Sequence, residues 1–331
     1  MKLSILDRSR TRAGAPEAEG LTGSIERAVH AERLGYDRFW VAEHHAVPGI
    51  ASGAPAVLIA AIGAHTSSIR IGSGGVMLPN HQPLVVAEQF HMLQALYPGR
   101  VDLGIGRSLG FTSVVRRALR HDRESLETFE DDLHELADLL VGDGPVTPHP
   151  RVDGTVPMSL LATGQGLEIA ARHGLPVVVG GPVLAERSIT EALATYRREF
   201  RPSKQASDPH VTISLDVTVA TDDTTARDLA LPEAWAMARS RQTGEFPPLE
   251  PVDHIRAQQW SAQLTQRVQR SLERAVAGSP ETVRALLDDL FARTTADELM
   301  ASTSTYDRGA LFESDRLLRD IITRRTGDLW R

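Results

Sequence analysis

The stretch IRIGSGGVMLPNHQPLVVAEQF, residues 69–90, joins an apolar, β-branched run to a helical segment that opens on Pro83. Such a run followed by a proline-started helix reads as one βα unit. The alternation extends in both directions. KLSILD precedes helical periodicity over 22–35, RFWVAE precedes 54–66, IRIGSGGVML precedes 83–97 and RVDLGIG precedes 122–141. Beyond the break GDGPVTPHP come MSLLAT with a helix to His173, PVVVG with a helix over 184–199, HVTISLDVTVA with helical sequence from 223, and ADELMAST with a final helix. Eight strands alternating with helices predict a parallel sheet. Gly35 and Gly174 suit helix C-caps, and SPETV starts a helix with Pro280 and Glu281.

A length of 331 residues leaves open one large barrel domain or two smaller ones. The 41% hydrophobic and 24% charged residues predict a sizeable core rather than disorder. A net charge of -7 without a basic cluster speaks against a nucleic-acid partner. The longest apolar stretch, APAVLIAAIGA, falls well short of the roughly 20 residues that span a bilayer, and MKLSILDRSR lacks the apolar core of a signal peptide. The expectation is a cytoplasmic protein without a membrane partner. The absence of cysteine removes disulfides, thiolate nucleophiles and cysteine-ligated metals, so histidines and carboxylates must carry any acid-base chemistry.

Residues 240–276 interrupt the rhythm between strands seven and eight. Pro247, Pro248 and Pro251 lead into a polar, helix-like segment, read here either as a lid over a barrel mouth or as an ordered surface excursion.

If 38–45 is strand two, alternation sets Trp40, Ala42 and His44 on one face and Val41, Glu43 and His45 on the other. Adjacent histidines then do not share a metal, and neither HxH nor HExxH occurs, so no metal is expected. A histidine at the carboxyl end of a barrel strand suits a general acid, base or donor, with a structural role as the alternative. Gly72, Gly74 and Gly75 interrupt a strand, as a bulge, a close approach of backbone to ligand, or simple curvature would require.

In DLGIGRSLG the third glycine, Gly110, comes one place too late for the dinucleotide fingerprint. Gly106 to Gly110 fits the G-x-S-x-G elbow of hydrolases, but the last histidine, His254, lies in the proline-rich segment with a βα unit still to follow. Arg107 instead offers a fixed cation after a glycine turn, and ATGQG, residues 162–166, offers backbone amides before a helix. Together they suit a phosphorylated ligand.

LGYDRFWVAEHH, IRIGSGGVMLPNHQPLVVAEQF, LYPGRVDLGIGR, EIAARHGLP and GSPETV stand in the order and spacing of the flavin-dependent luciferase-like monooxygenases, single-chain relatives of bacterial luciferase. The resemblance covers nearly the whole chain and thins from about 200 to 275. It implies a (β/α)8 TIM barrel as one domain over 1–331, with inserted segments and a lid at about 240–276. It also implies a homodimer and FMN, or a deazaflavin in one branch. His44 matches the catalytic histidine at the reacting edge of the flavin. Glu43, Gly74, Gly75, Val76, Gly106, Arg107, Thr163, Gly164 and Gly166 match cofactor-binding positions, with Arg107 and the 163–166 turn on the phosphate. His45 matches an interface residue that meets Glu88 of the other subunit.

The activity implied is two-component: a separate NAD(P)H:flavin reductase supplies reduced FMN, O2 adds to it, and the flavin hydroperoxide oxygenates a small organic substrate. A deazaflavin-dependent hydride-transfer enzyme and a non-catalytic flavin-binding protein are the alternatives. An Ala- and Arg-rich composition fits bacterial secondary metabolism. Two departures matter: ATGQG stands where many relatives carry a serine-rich loop, and VVVGGPV replaces their histidine or aromatic residues after strand six, so no substrate preference transfers.

Overall fold

The computed structural model describes residues 1–109, 112–120 and 128–328. Strands β1 (Lys2–Asp7), β2 (Arg38–Val41), β3 (Arg70–Met77), β4 (Val101–Gly106), β5 (Met158–Leu161), β6 (Val177–Gly180) and β7 (Val211–Leu215) belong to one sheet. After the separate pair β8 (Val217–Val219) and β9 (Val276–Gly278), strand β10 (Glu298–Ala301) closes that sheet into a parallel eight-stranded barrel. The circular order is β1, β10, β7, β6, β5, β4, β3, β2.

Helices α1 (Ala18–Leu34), α2 (Pro55–Gly63), α3 (Pro83–Leu96), α4 (Ser113–Ala118), α5 (Phe129–Val141), α6 (Gln165–His173) and α7 (Ile189–Glu199) interleave with the strands. Helices α8 (Asp223–Thr243), α9 (Val252–Ala257), α10 (Ala262–Arg274) and α11 (Pro280–Thr294) lie between β7 and β10, and α12 (Arg308–Asp328) is the last element among the described residues. This is the (β/α)8 architecture. The closed barrel does not accommodate the hydrolase elbow, which sits atop an α/β-hydrolase sheet. Gly110 of that motif and residues 122–127 of the helix expected over 122–141 lie outside the described residues.

Local chemistry explains the boundaries. Pro83 and Pro280 occupy the first turns of α3 and α11, where their missing N–H leaves no helical bond unmade. Gly35 and Gly174 end α1 and α6 in the left-handed region, at φ 77° and 62°. Ser279 caps α11 by accepting from the Thr282 amide.

Alternation along the strands builds two cores. Outward residues such as Leu3, Ile5, Phe39, Val41, Ile71 and Leu103 join the helices in the main hydrophobic core. Inward residues stack in layers, as barrel closure demands. Ser4, Arg38, Arg70, Asp102 and Glu298 fill the amino-terminal end, and Leu6, Trp40, Leu161, Val178 and Met300 form a small apolar layer above them.

Much of the glycine content of β3 and β4 makes room for that layer. A Cβ on Gly72 would stand 2.7 Å from the Trp40 indole nitrogen, one on Gly104 2.8 Å from the same ring, and one on Gly74 2.3 Å from Leu6. The β3–β4 register also shifts between Gly74 and Val76, as the bulge, one of the three readings of these glycines, requires. The Gly74–Gly75 peptide is cis.

From α8 onward the rhythm changes, and the 240–276 stretch contains the end of α8 with α9 and α10. Leu231, Trp235, Ile255, Leu264 and Val268 form a small core of their own, with the Trp235 and Trp260 rings 5.1 Å apart. Backbone bonds from Ala13 to Leu249, from Leu249 to Thr11 and from Gly49 to Phe246 fasten this excursion to the loops after β1 and β2.

Candidate active site

His44, the Gly74–Val76 segment, Arg107 and the 163–166 turn come from four strands and all lie at the carboxyl end of the barrel, the end that carries barrel active sites. Strand β2 ends at Val41, earlier than the 38–45 reading. The His44 amide donates to the Ser52 carbonyl at 2.9 Å, and Ser52 Oγ donates back to Ala42 O at 2.8 Å. Those bonds fold the loop while preserving the two-sided arrangement: Glu43 and His45 meet each other, and His44 lies among the arginines of the β1 exit.

Burial, then Arg8 and Arg10, push the His44 imidazole down to about 4, with Glu43 opposing. His44 is therefore neutral near pH 7. Its Nδ1 is buried without a hydrogen-bond partner. With His45, it also lines an open cleft of about 620 Å3 between the start of α1 and the 44–53 loop.

Glu43 is 3% exposed. Its Oε2 accepts from the Met77 amide at 3.0 Å, and its Oε1 accepts from His45 Nε2 at 2.6 Å and His81 Nε2 at 2.8 Å. These donors outweigh burial and hold the carboxyl down at about 2. The carboxylate thus ties the β2 exit to the end of β3. Glu43, His45 and His81 present ligand-type atoms within 4.8 Å of one another, a His2Glu set of the composition zinc accepts. Sequence reading misses His81 because 36 residues separate it from His45.

Arg107 follows β4, is exposed, and lies 5.7 Å from the Phe129 ring centroid. On the neighbouring strand, Thr163 and Gly164 are exposed immediately before α6. Gly164 has φ 53°, and a Cβ there would meet nothing within 4 Å. An open helix start with free space beside it, after the strand that pairs with the one before Arg107, fits a phosphate monoester. Gly106 is equally uncrowded, its nearest neighbour for a Cβ being Val76 O at 3.8 Å. Gly166 closes the turn by donating its amide to Thr163 O at 3.0 Å. Glu88 is half-buried on α3, and among the described residues no hydrogen bond or ion pair joins it to His45, which bonds Glu43 instead.

A second polar group was not anticipated. Arg8 reaches Asp216 Oδ1 at 2.9 Å and Glu233 Oε1 at 3.0 Å, and Arg10 Nε donates to Glu233 Oε2 at 2.9 Å. Arg10 and Arg8 hold Glu233 below the usual carboxylate range despite its burial. The available signal was a charged residue just past a strand, as in KLSILDR and VTISLD, since such positions face the mouth.

A family model described as luciferase-like monooxygenase matches residues 1–298. The chain is 36% identical over 325 residues to a luciferase-like monooxygenase of Escherichia coli K12, covering 96% of each chain. The crystal structure of apo-MsnO8 is similar with a TM-score of 0.87 and 36% identity, over 97% of this chain and 98% of that one. The oxygenating constituent of 3,6-diketocamphane monooxygenase from Pseudomonas putida, a type II Baeyer-Villiger enzyme in complex with FMN, is similar with a TM-score of 0.71 over 96% of each chain. At 17% identity that last likeness speaks for the fold alone.

Proposed function

Because the chain belongs to the luciferase-like monooxygenase family, we propose that it is an FMN-dependent member that oxygenates a small organic molecule with O2. A separate NAD(P)H:flavin reductase delivers the reduced flavin, and the enzyme works in the cytoplasm, where that reductant is available. The product belongs to bacterial secondary metabolism. No helix among the described residues is long and apolar enough to cross a membrane. The observation that carries the cofactor assignment is the shared barrel end. A phosphate-suited rim at Arg107 and Gly164 stands on the same mouth as a neutral, uncommitted histidine.

Reduced FMN, when bound, supplies two electrons to O2. The protein's share is positioning. Arg107 and the 163–166 turn hold the phosphate, the backbone of Gly74, Gly75 and Val76 borders the flat ring while uncrowded Gly106 leaves it space, and Glu43 fixes the β2 exit against Met77. Neutral His44 donates or accepts one hydrogen bond at the reacting edge. The 240–276 excursion closes the mouth and excludes water.

The same reading includes a homodimer. Four of the eight large apolar side chains that are exposed among the described residues lie on α2 and α3: Val57, Val85, Met92 and Leu96. Val85, Glu88, Met92 and Leu96 follow helical spacing on one face, where a partner's His45 would reach Glu88. Unchanged dissociation of the dimer in His45→Ala and Glu88→Ala, measured by analytical ultracentrifugation, would sink that interface.

The function is tested by anaerobic titration with reduced FMN, followed by mixing with O2 in a stopped-flow instrument. Tight binding and a spectral transient between reduced and oxidised flavin are expected. Binding of a reduced deazaflavin in place of FMN, with turnover independent of O2, would replace this reading by the hydride-transfer one. Flavin binding without any oxygen chemistry would leave a binding protein.

A further inference from the structure

The circular order sets β5 opposite β1 and β4 opposite β10. The rim carrying Arg107 and Gly164 therefore faces, across the mouth, the polar group after β1, β7 and β10. Arg8, Asp216 and Ser302 continue the inward alternation of those three strands. Arg8 NH2 donates to Asp216 Oδ1 at 2.9 Å and to the Ser302 carbonyl at 2.7 Å, while Ser302 Oγ donates to the same Asp216 oxygen at 2.9 Å.

Among the charged members of this group Asp216 opens most to solvent. Its side chain is 37% exposed, against 16% for Arg8 and 8% for Glu233. Two donors occupy Oδ1, whereas no hydrogen bond to Oδ2 occurs among the described residues. One oxygen is thus used to fix the carboxylate and the other is left to accept.

Charge selects what it accepts. Arg8 and Arg10 balance Asp216 and Glu233, so an anion would meet the open carboxylate and a cation would leave a positive excess beside the two arginines. A neutral ligand is favoured. An ether or carbonyl oxygen cannot bond to a carboxylate oxygen, whereas a hydroxyl donates to it in a charge-assisted hydrogen bond.

We propose that Asp216 is a specificity-determining residue that accepts a hydrogen bond from a neutral hydroxyl group, alcoholic or phenolic, on the organic substrate. Arg8 and Ser302 act as positioning residues for its carboxylate. The inference rests on the reading of this mouth as the flavin site, with substrate on the side away from the phosphate rim.

The probes are 2-naphthol and its methyl ether, 2-methoxynaphthalene, each titrated into the full chain by calorimetry. The wild type should bind the naphthol about tenfold tighter, the scale of one charge-assisted hydrogen bond. Asp216→Asn places an amide that donates to either oxygen, and Asp216→Ser withdraws the acceptor, so the preference should vanish in both. Ser302→Ala should retain it, because Arg8 still holds the carboxylate. Equal binding of the two probes by the wild type, or a preference surviving in either Asp216 variant, would overturn the proposal. FMN binding is measured in parallel by fluorescence quenching. If FMN binds and the hydroxyl preference is missing, this inference alone fails; if FMN does not bind, the flavin reading fails.

Discussion

The two ends of the barrel bury charge to opposite ends. At the amino-terminal end Arg38 bonds both Asp102 and Glu298, Arg70 bonds Asp102 through two nitrogens, and the Trp40 indole donates to Asp102. Ser4 and His210 both bond Glu298. No buried polar atom of that group lacks a partner. At the mouth Arg8 Nε and His44 Nδ1 have none, and Glu233 Oε1 meets Arg8 as an ion pair without an aligned hydrogen bond. Buried charge is tolerated when fully paired. A finished network is architecture, and an unfinished one at the mouth is a place prepared for something else.

Breaking the finished network should have the largest effect. Asp102→Ala removes the buried carboxylate that Arg38, Arg70 and the Trp40 indole share, leaving Arg38 with Glu298 alone and Arg70 with the Gly99 and Val101 carbonyls, so the unfolding free energy should fall by about 3 kcal/mol in chemical denaturation, while molecules that remain folded keep their affinity for FMN. A fall below about 1 kcal/mol would deny the amino-terminal end its structural role. At the mouth the pattern should invert. His44→Ala should slow turnover by about 100-fold or more yet shift the unfolding free energy by less than about 1 kcal/mol and leave FMN binding nearly intact. Comparable losses of folding and turnover would place His44 with the architecture.

Arg107→Ala sharpens the contrast within the mouth. It should weaken FMN about tenfold and riboflavin hardly at all, as expected for one lost phosphate contact; equal losses would remove the phosphate role. The smallest effect is a pH slope. His44 is held neutral with a pKa of about 4 in the folded chain, against about 6.5 when unfolded. Between those values the unfolded chain binds the extra proton, so this stabilisation is complete above the unfolded pKa and is lost as pH falls toward the folded one. From about pH 7.5 to about pH 5.5 the wild type should lose on the order of 1 kcal/mol relative to His44→Ala. Parallel stability curves would show that His44 is not held neutral by the fold.

The strands, the proline-started helices and the glycine C-caps were legible because each depends on neighbours a few residues away. The 38–45 strand was read too long, since the Ser52 bonds that end it come from a loop with no periodic signature. Gly72 and Gly74 were legible as exceptions to strand composition, but not their packing reason, which is Trp40 and Leu6 arriving from other strands. Likewise His44, Arg107 and ATGQG stood out in motifs, whereas Arg8, Asp216, Glu233 and His81 did not.

By itself, then, the sequence determined the alternation of strands and helices, the inward and outward faces of each strand, and which motifs end on the same side of the sheet. These follow from backbone periodicity and local turn chemistry. Only the tertiary structure decided which inward residues meet. Arg8 and Asp216 lie 208 positions apart, and Arg8 and Ser302 lie 294 apart. Their contact exists because the barrel closes β1 onto β10 and sets β10 beside β7, and closure fixes distances that no local pattern along the chain encodes.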